Sequence, residues 1–253
     1  MLSRLDRHLA PPPDPARVRW LGEWTYAHRG LHSDGVPENS LAAFAGAIER
    51  GFGIECDIQR SRDDAAMLVH DWELDRLTGV RGPTSGYSAE ELAQIAFLDS
   101  EHKLARLDDL LALVEGKVPI LIEIKSRRGY DVAQSCRAVR DSLGSYAGLH
   151  AVMSFDPRVS AWFRRNSPET VRGLVMREDE HGYTQKPWQR HAALWAARPD
   201  FLAYHIAALP NAMVASLRQA GMPVTSWTVN SPELLERARQ YADAPIAEGA
   251  GIV

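Results

Sequence analysis

At 253 residues, 45% hydrophobic and 25% charged, the chain has the balance of an ordinary globular protein. A single α/β barrel takes about 250 residues, so one large domain fits the length. A net charge of -4 excludes the basic surplus of a nucleic-acid binder but admits a compact anionic substrate held by a metal and a few basic side chains.

Residues 1–22 read as an N-terminal arm and 23–253 as one domain. Pro11-Pro12-Pro13 stops any helix in the arm, and Val18, Trp20 and Leu21 are placed to pack on the body. Residues 1–14 hold no apolar core of the kind a secretory signal needs, and no run of 18 apolar residues occurs, so a cytoplasmic location and no transmembrane segment are expected. Two cysteines, Cys56 and Cys136, are too few for a disulfide framework and read as buried free thiols.

From Trp24 onward apolar runs alternate with helix-period segments. The first strand is Trp24–His28. Asn39 or Ser40 caps a helix over Leu41–Arg50, which Gly51 and Gly53 end. Gly53–Ile58 is the second strand and Ala66–His70 an accessory run reached through the turn residues Asp63-Asp64. A polar Thr78–Gly86 stretch precedes a helix at Ser88–Ile95, opened by the capping-box pair Ser88 and Glu91, and another at Asp108–Glu115. Pro119–Lys125 is the third core strand, followed by a helix from about Asp131 to Ser142. The rhythm then repeats, with strands at His150–Ser154, Val171–Met176, Phe201–His205, Val224–Val229 and Pro245–Val253. The helices between them are Pro157–Arg165, one near Trp188–Ala196, Ala212–Ala220 and Pro232–Tyr241.

Eight core strands linked by helices demand parallel pairing, which predicts a (β/α)8 TIM barrel with a short insertion after the second strand. An open doubly wound sheet would want a glycine-rich phosphate turn after its first strand, and His28-Arg29-Gly30-Leu31-His32-Ser33 lacks that spacing.

In a barrel the chemistry collects at the C-terminal strand ends. Glu55 and Asp57 are two apart, so they share one face of the second strand, and Glu123 and Lys125 share one face of the third. Side-by-side carboxylates repel unless a cation sits between them. Three of them, Glu55, Asp57 and Glu123, describe a hard-oxygen site suited to one divalent cation, Mg²⁺ or Ca²⁺, rather than Zn²⁺. A solvated strand edge is the competing reading, against which the apolar neighbours on both sides argue.

His28 and His70 come from different segments but one end, and a histidine pair supplies a general acid and a general base near neutral pH. Arg29 and Lys125 are cations fitted to a phosphate, although Lys125 can also simply pair with Glu123. Metal, acid–base pair and cations together suit phosphodiester cleavage. Asp71 either orients His70, reaches the metal through water or is a turn residue, Glu38 and Asn39 read as loop bracing and capping, and His205 and Glu248 match nothing specific.

His28-Arg29-Gly30, Pro37-Glu38-Asn39-Ser40, Glu55-Cys56-Asp57, His70-Asp71 with Leu74 and Arg76-Leu77-Thr78, and Glu123-Ile124-Lys125 together resemble the glycerophosphodiester phosphodiesterase family. The late Trp227-Thr228-Val229-Asn230 looks like that family's penultimate strand. The resemblance implies a TIM barrel and metal-dependent hydrolysis of a small-molecule phosphodiester to glycerol 3-phosphate and an alcohol. It implies Glu55, Asp57 and Glu123 as metal ligands, His28 and His70 as the catalytic pair, and Arg29 and Lys125 as phosphate contacts. Trp227 is taken as substrate-binding, with barrel-core packing an equal explanation. Two departures stand out: Ala105-Arg106-Leu107 lacks the usual proline, and the Asp75–Leu107 stretch that forms a cap in many members is short. A short cap widens the mouth for an acyl chain, so a lysophospholipase D-like activity on lysolipids is the alternative. A non-catalytic binding barrel is a third reading.

Overall fold

The computed structural model describes residues 8–180 and 183–252. Its strands are β1 Tyr26–Ala27, β2 Gly53–Arg60, β3 Ala66–Leu68, β4 Ile120–Ile124, β5 His150–Ser154, β6 Val171–Met176, β7 Phe201–His205, β8 Val224–Val229 and β9 Ala244–Ala247. Its helices are α1 Pro15–Val18, α2 Leu41–Glu49, α3 Asp75–Thr78, α4 Ala89–Leu92, α5 Leu107–Val114, α6 Val132–Leu143, α7 Pro157–Asn166, α8 Pro187–Ala197, α9 Ala212–Gln219 and α10 Pro232–Tyr241. The chain forms two compact units, one of residues 27–150 and one of Met1–Tyr26 with Ala151–Val253.

In the 27–150 unit, β2 runs parallel to β4, with Glu55 opposite Leu121 and Asp57 opposite Glu123. Both strands are buried on both faces, which is why they read as near-continuous apolar runs broken only by the acids. The antiparallel β3 pairs with the last residues of β2, Ile58 opposite Leu68 and Arg60 opposite Ala66. Helix α2 packs on β2 and on α5, and α5 on α6. The Ser40 hydroxyl caps α2 by accepting from Ala43 N, and Asp131 caps α6 by accepting from Gln134 N, each cap worth about 1 kcal/mol. Between β3 and α5 the insertion packs Val69, Leu74, Ala89, Leu92, Phe97 and Leu104 into a small core against Met67 of β3. The capping box of Ser88 and Glu91 forms as expected, but the helix it opens is a single turn, because the backbone N–H of Leu104 bonds Ile95 O and pulls the chain into a return.

In the other unit β5 to β9 are parallel throughout. Three of the four helices between and after these strands, α7, α8 and α10, begin with proline, whose missing N–H costs nothing at that position. Tyr204, Leu202, Val224, Leu194 and Leu217 form the centre of its apolar core. Gly173 on β6 lies opposite Phe201 on β7, and the phenyl ring covers it so closely that a Cβ would sit 2.3 Å from the ring. Val18, Trp20 and Leu21 are buried, and Arg17 donates to the carbonyls of Pro168 and Glu169 at 2.8 and 3.2 Å. Asp200 is buried against Arg172 at 3.1 Å. Cys56 and Cys136 are buried free thiols.

The differences from expectation lie at the ends of strands. The first strand covers only Tyr26–Ala27, because His28 to Gly30 turn back, with Gly30 N bonding Ala27 O at 3.1 Å. The last strand covers only Ala244–Ala247 before a 3-10 turn at Gly249–Gly251, and Val253 lies outside the described residues.

Candidate active site

The alternation of β2 puts Glu55, Asp57 and Gln59 on one face, and all three are buried. The parallel register sets Glu123 beside Asp57. Oxygens of Glu55, Asp57 and Glu123 lie within 4.8 Å of one another, so the three expected carboxylates do converge. This acidic triad can hold a metal ion.

Two cations share the cluster. Lys125 follows Glu123 on the same face, and its ammonium donates to Asp57 Oδ1 and Glu123 Oε1, each at 2.8 Å. Arg29 sits in the turn after β1 with φ 56, followed by Gly30 at φ 81, where a Cβ would lie 2.8 Å from the Ala43 carbonyl carbon. Only glycine fits that second position. The turn aims Arg29 N at Glu55 Oε2, 3.0 Å away, and the guanidinium at Glu38 Oε1 (2.8 Å) and Asp57 Oδ2 (3.2 Å).

Three charges against two leave an imbalance that the ionisation of the acids reveals. Burial first, then Asp57 and Glu123, push Glu55 well above the usual carboxylate range. Burial would raise Asp57 too, but Lys125, His70 and Arg29 outweigh it and hold Asp57 far below that range. Against a desolvation that would lower it, Lys125 is held above the usual lysine range by Asp57 and Glu123.

His70 and Asp71 follow β3. Gln59 Nε2 donates to the backbone carbonyls of both, at 3.0 Å to His70 O. Asp71 Oδ1 meets His70 Nδ1 at 2.7 Å, which fixes the ring and leaves the neutral imidazole's lone pair on Nε2. Burial, seconded by Lys125 and Arg29, lowers the His70 pKa despite Asp57 and Asp71. Arg76 donates to Asp71 and, at 2.7 Å, to Glu38 Oε1, so Glu38 joins Arg76 to Arg29. His28 is half-buried immediately before Arg29.

Trp227 belongs to the 151–253 unit. Its indole N–H donates to Ala203 O at 3.0 Å, and its ring meets Phe155 edge-on (5.3 Å), His205 (4.9 Å) and the Arg177 guanidinium (5.6 Å).

Sequence reasoning gave too little weight to two residues and passed over a third. Asn39 is not the cap of α2; its amide pairs reciprocally with Asp57, Nδ2 to Oδ2 at 3.0 Å and Asp57 N to Oδ1 at 3.1 Å. Gln59 is the third member of the alternating row that begins with Glu55 and Asp57, a signal present in the spacing. Glu38 is bonded by both Arg29, in its own connection, and Arg76, from α3, a convergence of two segments that no local pattern announces.

Residues 28–247 match the model of the glycerophosphoryl diester phosphodiesterase family. The chain belongs to this family. A glycerophosphodiester phosphodiesterase of Caldanaerobacter subterraneus subsp. tengcongensis is 27% identical over 83% of this chain and 87% of its own length. A probable glycerophosphodiester phosphodiesterase 2 of Mycobacterium tuberculosis is 28% identical, covering 86% of this chain and 84% of its own. Among solved structures, an Oleispira antarctica phosphodiesterase in complex with the product sn-glycerol-3-phosphate superposes with a TM-score of 0.77 at 23% identity, over 88% of this chain and 92% of that one. The Thermotoga maritima glycerophosphodiester phosphodiesterase does so with a TM-score of 0.73 at 25% identity, over 88% and 93%. The fold class is therefore the (β/α)8 barrel expected from strand–helix alternation. As a member of this family the chain is an enzyme, a phosphoric diester hydrolase, which answers the non-catalytic reading. No helix among the described residues is long and apolar enough to cross a membrane.

Proposed function

We propose that this enzyme hydrolyses glycerophosphodiesters to glycerol 3-phosphate and an alcohol, with one Mg²⁺ or Ca²⁺ held by Glu55, Asp57 and Glu123. The observation that carries the reading is the buried triad and its uncompensated charge. Three hard oxygen donors face one another within 4.8 Å, and Glu55 is pushed up by its burial and by Asp57 and Glu123, which Arg29 and Lys125 do not offset. A divalent cation relieves that excess, so the residues fit the group. When bound, it supplies positive charge against the non-bridging phosphate oxygens.

The chain's own residues supply the rest. His70, oriented by Asp71 and kept neutral by its lowered pKa, takes the proton of the attacking water or hydroxyl at Nε2. His28 gives a proton to the leaving alkoxide. Lys125 spends two of its three N–H donors on Asp57 and Glu123 and has one for a phosphate oxygen. Arg29 keeps Nη2 for the same anion while Nη1 is held by Glu38. Trp227, whose ring packs against Phe155 and His205, is taken as substrate-binding. The buried free thiols accord with a cytoplasmic location.

The test is glycerol 3-phosphate release from glycerophosphocholine by protein stripped with chelator and then titrated with Mg²⁺ or Ca²⁺. Activity indifferent to chelation, or retained in His28→Ala or His70→Ala, would overturn the assignment. A lysolipid substrate is favoured by one observation: residues 75–106 contain only two one-turn helices and a 3-10 turn, too little to form a deep cap. Faster turnover of lysophosphatidylcholine than of glycerophosphocholine would make that the better reading.

A further inference from the structure

Helix α8 has two unlike faces. Ala193, Leu194 and Ala197 point into the core of their unit, whereas Trp188 and Trp195 are 65% and 62% exposed. They are seven residues apart, two helical turns or about 10 Å, with the exposed Ala192 between them, so they form one stripe on the side opposite the buried residues. Tyr183, just ahead of the helix, is 72% exposed. An exposed Leu is unremarkable, but tryptophan is among the side chains that gain most from burial, and two on one helix face are unusual on a surface that meets only water.

The charge on the helix segment itself has one sign. Residues 181–199 contain no Asp or Glu, in a chain that carries 33 acids in 253 residues and is net negative. Lys186 and Arg198 bracket the helix, and α7, which packs on α8, ends in Arg164 and Arg165 and is likewise free of acids. None of these four basic residues makes an ion pair among the described residues, whereas Arg158 and Arg190 are spent on Asp156 and Glu178.

We propose that the α8 face, with Tyr183, Trp188 and Trp195 as anchors and Lys186 and Arg198 as flanking cations, docks the enzyme on an anionic lipid surface. Tryptophan and tyrosine prefer the headgroup level, where the ring is in apolar surroundings and the polar edge is wet. A helix lying in the interface places such residues on one side and lysine or arginine beside them, and each cation adds attraction to anionic lipid. A second copy of this chain docking face to face would set Lys186 and Arg198 against their own equivalents, a like-charge contact. The proposal stands independently of the reaction proposed above, and it concerns a chain with no membrane-crossing helix among its described residues.

The experiment is co-sedimentation of the whole protein with vesicles of phosphatidylcholine containing about one-third phosphatidylglycerol, alongside pure phosphatidylcholine vesicles, with tryptophan emission read in parallel. The expected result is binding to the anionic vesicles with a blue shift of emission. Trp188→Ala combined with Trp195→Ala, and separately Lys186→Glu combined with Arg198→Glu, should each weaken binding about tenfold or more without moving the melting temperature. The lysine and arginine pair should lose its contribution in high salt. Absence of vesicle binding by the wild type, or binding by the tryptophan variant equal to wild type, overturns the proposal. So does a wild-type dimer that ignores vesicles and falls to monomer in the tryptophan variant, which would make the face a contact between copies.

Discussion

Replacing Asn39 by glycine removes the amide that holds Asp57 and leaves the backbone conformation in place, since φ 55 suits glycine. Two hydrogen bonds go, Asn39 Nδ2 to Asp57 Oδ2 at 3.0 Å and Asp57 N to Asn39 Oδ1 at 3.1 Å, both at residues about 1% exposed. The bond to the carboxylate is worth about 1.5–3 kcal/mol, and the orphaned backbone N–H costs a further ~1–3 kcal/mol. With partial compensation by water, the loss is about 3 kcal/mol, or roughly 6–12 °C in melting temperature for a protein of this length. Asp57 also loses one of the groups that fix its rotamer, so metal affinity should fall by about 10–100-fold. Asn39→Ala should be worse by about 1 kcal/mol, because an L side chain is strained at that φ. Calorimetric melting and titration of Mg²⁺ or Ca²⁺ into metal-free protein check both arms. If Asn39 mattered only as a helix cap, the variant would lose about 1 kcal/mol and bind metal normally. That result, or an unchanged melting temperature, would refute the reasoning.

Glu55→Gln should abolish metal-dependent turnover and yet raise the melting temperature of the metal-free protein, because Glu55 has a raised pKa in the fold. By linkage, a carboxyl whose folded pKa is raised costs stability as pH climbs from its unfolded value through its folded one, and the glutamine variant should lack that decline in a melting series across pH. The acid limb of kcat/KM should fall below the pH of an ordinary histidine, since the neutral base is lost only as pH drops through the lowered His70 pKa; a limb above it would reverse the assignment. Gly173→Ala should cost about 1–3 kcal/mol, read by denaturant unfolding, because its Cβ meets the Phe201 ring at 2.3 Å.

The barrel was legible because its strands are buried on both faces and its helices carry their own start signals, such as Ser40, Ser88 with Glu91, Pro157 and Pro232. The acids were legible for a related reason. On a strand the period is two, so Glu55 and Asp57 must share a face whatever the tertiary structure. What escaped was the part that depends on loops. Glu38 and Arg76 are 38 residues apart and meet only because α2 and the 61–75 segment bring the chain back. Asn39 looked like a cap because its residue type serves both purposes, and only the observed turn, with Asn39 N on Arg29 O, sends its side chain inward to Asp57. The last strand was expected to run too far because apolar residues continue past Gly249, where the backbone turns, and the first because His28 already belongs to the turn in which Gly30 N bonds Ala27 O.

The distribution of cations explains why the three carboxylates are not equivalent. Asp57 receives Lys125, Arg29 and Asn39, while Glu123 shares the Lys125 ammonium. Glu55 has a backbone N–H, that of Arg29, and two like-charged neighbours. Farther out, Glu38, Arg76 and Asp71 alternate in sign, and Asp71 also holds the neutral His70 ring, so these groups satisfy one another. The excess negative charge is thus confined to the Glu55 side of the triad rather than spread over it. A buried charge left in that state costs stability, so the fold carries a local deficit that any cation at the triad repays at Glu55 first. Stability without metal and affinity for metal should therefore trade against each other at Glu55, and should fall together at Asp57, whose partners already hold it ionised.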